Sequence, residues 1–191
     1  ASEKNISIFV RGAASELART WSAMQSNVIT AILVIFLLLV ILLKSFSMPF
    51  IILLVVPVAS TGGIAALALL NQFIKQPLDM LTMLGFVILT GIVVNNAILL
   101  VEQTILQVKE EGMQIYDAIV EATRNRIRPI FMSTLTSLFG LVPLVIFPGA
   151  GSELYRGIGV VVFGGLALST FATLLIVPPL LSVFSNSIQK N

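Results

Sequence analysis

The stretch Thr82–Glu102, TMLGFVILTGIVVNNAILLVE, restricts this chain more than any other. Before Glu102 its only strongly polar side chains are two adjacent asparagines, Asn95 and Asn96. About 20 apolar residues make roughly 30 Å of helix, the thickness of a bilayer's hydrocarbon core. Lipid tails offer an amide no hydrogen-bond partner, so a polar pair inside such a helix turns toward other helices or a water-filled path. Asparagine also serves as plain glue between helices, and the residues themselves leave both readings open. Gly91, Asn95 and Glu102 share one face, where Gly91 admits a neighbouring helix against Asn95.

The same apolar pattern recurs along the chain. Residues 28–43 are nearly pure aliphatic, and Lys44 closes them. Residues 50–70 form a second span, with Pro57 expected to kink it. The third span is 80–101, after a polar loop broken by Pro77. Charges then accumulate at Glu110, Glu111, Asp117, Glu121, Arg124, Arg126 and Arg128, while Ile115, Ala118, Ile119 and Ala122 keep helical spacing. This predicts an amphipathic cytoplasmic helix over 110–128 on the membrane surface, set off by Gly112 on one side and Pro129 on the other. Residues 130–147 and 157–181 complete five spans. In the last, Gly165, Ser169 and Thr173 recur at i, i+4 and i+8, a small-residue stripe for helix packing.

The ends differ from this core. Asn5–Val10 gives a weak strand signal, and Ala13–Gln25 reads as an amphipathic lead-in helix whose Trp21 suits the membrane interface. The expected order is a lead-in over 1–25, a transmembrane domain over 26–181 and a polar cytoplasmic tail over 182–191, an all-α membrane protein. No start Met or signal peptide opens the chain, and a piece of a longer polypeptide is the expectation.

Only 10% of the 191 residues are charged, against about 25% in a soluble domain. That leaves too little polar surface for a large globular domain. There is no Cys and no His, which removes thiolate chemistry, the commonest metal ligand and the commonest general base. No phosphate-binding Gly-Lys-Ser/Thr loop occurs, and no span core holds paired carboxylates. Neither an enzyme, a cofactor, a metal nor a nucleic-acid partner is expected. A proton relay needs an intramembrane ionisable group, and no span core supplies one. With the N-terminus outside, Lys44, Lys109, Arg124, Arg126, Arg128 and Lys190 fall on the cytoplasmic side, and only Lys75 and Arg156 occupy the short outer loops. The positive-inside rule therefore favours N-out, C-in, although Lys4, Arg11 and Arg19 weaken the bias.

GIVVNNAILLVE at Gly91–Glu102, EEGM at Glu110–Met113, EATRNRIRPI at Glu121–Ile130, TLTSLFGLVPL at Thr134–Leu144 and VPP at Val177–Pro179 follow in that order. The series covers nearly the whole chain and resembles the C-terminal half of a resistance-nodulation-division pump of the hydrophobe/amphiphile efflux branch. The resemblance implies the last five of the six spans of that half, with 1–21 as the end of a periplasmic domain. It implies a secondary transporter of the bacterial inner membrane that expels drugs and amphiphiles as protons enter. The implied partners are the N-terminal half of the same pump with its aspartate pair, further copies in a homotrimer, a periplasmic adaptor and an outer-membrane channel. Asn95 stands where the best-known members carry a lysine, Asn96 is the matched asparagine, Arg126 is the middle arginine before the proline, and Ser133 matches a relay threonine. Asparagine in place of lysine is a departure: an amide rearranges hydrogen bonds but carries no charge. A structural or assembly module, akin to the superfamily's protein-export members, is the alternative, and the substrate is not specified.

Overall fold

The computed structural model describes residues 26–76, 78–147, 149 and 152–184. The strand signal at Asn5–Val10, the lead-in helix and the tail beyond Phe184 lie outside them. Six helices follow in order: α1 Ser26–Leu43, α2 Ser47–Leu53, α3 Val55–Asn71, α4 Met80–Lys109, α5 Ile115–Ile146 and α6 Ser152–Val183. No strand occurs among the described residues. Five stretches are long and apolar enough to cross a membrane, with α2 and α3 together forming the second. The protein is an all-α membrane protein.

The chain divides into two compact units, Ala1–Leu38 and Leu39–Asn191. In the first, the described part of α1 is helix with Ile29, Leu33, Val34, Leu37 and Leu38 exposed. The second unit holds the rest. There α1 ends at Lys44, whose φ of 49° is the left-handed stop more often given to Gly or Asn.

α6 is the post of the second unit and touches α2, α3, α4 and α5. Glycines set how closely the backbones approach. A Cβ on Gly62 would stand 2.7 Å from the Gly164 carbonyl oxygen, and one on Gly164 would stand 2.6 Å from that of Gly62. α3 and α6 therefore meet backbone to backbone. On α4, Gly85 lies against Ile158, and on α6, Gly165 lies against Leu89. Ser169 and Thr173 are buried one and two turns beyond Gly165. Leu89, Val93, Ala97, Leu100 and Val101 complete the buried side of α4.

The helices differ from the expected segments at three places. The second span is parted at Leu54, because the ring of Pro57 crowds the Leu53 carbonyl, which it also leaves without an amide donor. The helix that carries the third span, expected over 80–101, runs on to Lys109. Its start is fixed by Asp79, whose carboxylate accepts from the Thr82 amide and hydroxyl, both at 2.7 Å. The amphipathic segment 110–128 is not a separate helix: residues 115–128 are the first part of α5, which passes through Pro129. Ala118, Ile119, Ala122, Ile130 and Thr134 form one buried line on both sides of the proline. Packing along that line outweighs one lost amide bond, and Pro129 itself is exposed. Gly112, at φ 66°, makes the turn between α4 and α5.

Candidate functional site

Successive residues of a helix lie about 100° apart, and α4 shows what this does to the asparagine pair. Asn96 points into the bundle and is 7% exposed, between buried Val94 and Ala97. Asn95 is exposed, together with Leu84, Ile88, Gly91, Glu102 and Leu106. These six make one open stripe along α4, and Asn95 sits halfway along it. A Cβ on Gly91 would meet nothing within 4 Å. No described residue therefore packs on Gly91, and the two asparagines meet different surroundings.

Arg126 reaches α4 instead. Its Nη2 donates to Gln103 Oε1 at 2.9 Å, joining α5 to α4 about 12 Å along the helix from Asn95. Gln103 escaped sequence reading because a glutamine beside Glu102 gives no signal of a partner 23 positions away. Ser133 is exposed, and its hydroxyl donates to its own helix at Ile130 O, 3.0 Å away. The buried hydroxyl is the next one, Thr134, whose Oγ1 lies 2.9 Å from Thr170 Oγ1 on α6. Thr170 also bonds the Leu166 carbonyl at 2.8 Å. This pair ties α5 to α6 inside the bundle.

The arrangement offers amides, hydroxyls and one guanidinium, and no span core holds a carboxylate. Among the described residues no group of His, Cys, Asp or Glu is placed to hold a metal. A shallow open groove of about 350 Å³ between α3 and α6 is lined by Ala65, Leu69, Ala167 and Phe171 among others, and none of its lining residues is charged. These side chains supply hydrogen-bond donors and acceptors between helices, as in the Arg126–Gln103 and Thr134–Thr170 pairs.

The sequence profile of the AcrB/AcrD/AcrF family matches residues 4–185. The chain belongs to the AcrB/AcrD/AcrF family. This is the resistance-nodulation-division lineage that the ordered motifs resemble. Among curated members, the multidrug resistance protein MdtC of Erwinia tasmaniensis is 36% identical over 173 residues, which is 88% of this chain and 16% of the relative. MdtC of Salmonella paratyphi A is 36% identical over 167 residues, 87% of this chain and 16% of the relative. The chain thus spans about one sixth of the length of these family members.

Proposed function

We propose that this chain is the part of a proton-driven efflux transporter that turns proton passage into helix movement. The observation that carries the proposal is the open stripe of α4, with Asn95 mid-span among apolar residues and Gly91 bare beside it. A lone amide there calls for a polar partner from beyond the described residues. In this reading the partner is an aspartate on the N-terminal half of the same pump. Asn95 donates its amide hydrogens to that carboxylate while it is ionised, and protonation weakens the bonds and releases α4. A charge-assisted bond of this kind contributes about 1.5–3 kcal/mol, a bias of roughly tenfold or more between two helix arrangements.

Asn96 holds α4 in the bundle. Arg126 and Gln103 carry movement of α4 to α5, and Ser133 faces the path on α5. The pump works as a homotrimer in the bacterial inner membrane, with a periplasmic adaptor and an outer-membrane channel, and its cargo is a drug or another amphiphile.

The test is dye efflux from cells carrying the full pump, read beside expression and oligomer size. Asn95→Leu, which suits lipid and helix interfaces, is expected to assemble normally and lose export. Asn95→Lys is expected to retain some. Normal efflux by a well-expressed Asn95→Leu pump removes Asn95 from the relay.

A further inference from the structure

A second polar centre stands at the end of the bundle where α4 and α6 begin. There Glu153, Leu154 and Tyr155 of α6 point outward and are exposed. Arg156 turns inward and is 6% exposed. The next residue, Gly157, backs directly onto Thr82, and a Cβ on it would stand 3.3 Å from Gln76 Nε2. Gln76 is buried as well. Arg156 Nε is fully enclosed and has no acceptor among the described residues.

A guanidinium keeps its charge throughout the working pH range. Enclosing its Nε without an acceptor is costly, and a buried charge is held in proteins by a partner. The first turn of α6 adds unsatisfied N–H groups and the positive end of the helix dipole at the same place. The carboxylates of this end do not answer that demand. Asp79 Oδ1 is engaged by the amide and hydroxyl of Thr82, and Glu153 lies exposed on the perimeter.

We infer that Arg156 is the receptor for a carboxylate side chain contributed from outside residues 26–184. A protein carboxylate fits better than a lipid phosphate. A headgroup approaches from the perimeter, where Glu153, Leu154 and Tyr155 are exposed, whereas Arg156 is 6% exposed and its Nε is enclosed. The inference rests on the chain being part of a longer pump, in keeping with relatives of which it covers 16%.

The experiment uses the full pump in nanodiscs, with thermal unfolding as the main readout, so that it reports even where no export is seen. Arg156→Met is expected to lower the unfolding midpoint by several degrees, and Arg156→Lys by less. Glu153→Gln is expected to leave it unchanged. If Arg156→Glu abolishes accumulation, selection for restored pump level is expected to return Lys or Arg at an acidic position outside residues 26–184. An unchanged midpoint in Arg156→Met overturns the inference. So does an equal loss in Glu153→Gln, which makes the partner internal. A midpoint that falls in wild type but not in Arg156→Met when phosphatidylglycerol is replaced by zwitterionic phosphatidylcholine also overturns it, in favour of an anionic lipid headgroup. Absence of export by an otherwise stable wild-type pump counts against the transport reading alone.

Discussion

Three glycines show how much one methyl group means at different places. A Cβ on Gly164 meets the Gly62 carbonyl and Ala66, which are fixed by the backbone. A Cβ on Gly165 meets first the Leu89 side chain, which is buried but, unlike a carbonyl, is not part of the backbone. A Cβ on Gly91 meets nothing. Gly164→Ala is therefore expected to destabilise the purified chain by about 1–3 kcal/mol. Gly165→Ala is expected to cost less, and Gly91→Ala is expected to raise stability slightly through helix propensity, by up to about 1 kcal/mol. Denaturant unfolding followed by helical circular dichroism ranks the three, and Gly91→Ala as damaging as Gly164→Ala would show that the bare stripe packs on something within the chain. The small stripe of α6 was legible because its residues recur every four positions. The Thr134–Thr170 pair was not, because hydroxyls on two different helices follow no spacing rule. Nor was the parting of Asn95 from Asn96: adjacent residues always diverge on a helix, but which one faces the bundle is decided by the neighbouring helices.

At the scale of elements, the apolar runs announced the spans, and one error lies where Pro129 was weighed without its packing. Pro57 divides α2 from α3, whereas Pro129 sits inside an unbroken α5. Buried residues flank both prolines, Ile51 to Ala59 about Pro57 and Ala118 to Thr134 about Pro129, and only at Pro129 does the helix run on without a break. Pro129→Ala is accordingly expected to leave the helix ends where they are, with no gain in helical content beyond a residue or so. Gly112 is the opposite case. It touches nothing, yet its φ of 66° is unfavourable for any residue with a Cβ. Gly112→Ala is expected to cost about 1 kcal/mol, while Gly112→Asn is expected to cost less. Hydrogen exchange at Met113, whose amide bonds Gln107 O at 3.2 Å, reads this turn directly.

For the whole molecule, the turns alternate between two ends. The α3–α4 and α5–α6 connections share one, and the α4–α5 turn occupies the other. Single cysteines at Gln72 and Ser152 in the full pump are expected to react with an impermeant reagent from the same side of the membrane, and one at Gln114 from the opposite, cytoplasmic side. Labelling of all three from one side would break the alternation. Length carries a further consequence. With 30 and 32 residues, α4 and α5 are roughly 45 and 48 Å long, half as long again as the hydrocarbon they cross. Their surplus falls at the shared Gly112 turn, where Arg126 and Gln103 clamp the two together. The clamp makes the pair one rod, with about 30 Å of it in the membrane and about 15 Å beyond. A tilt of the embedded part is carried to the tip, so a spin label at Gln114 is the natural pointer for what α4 does.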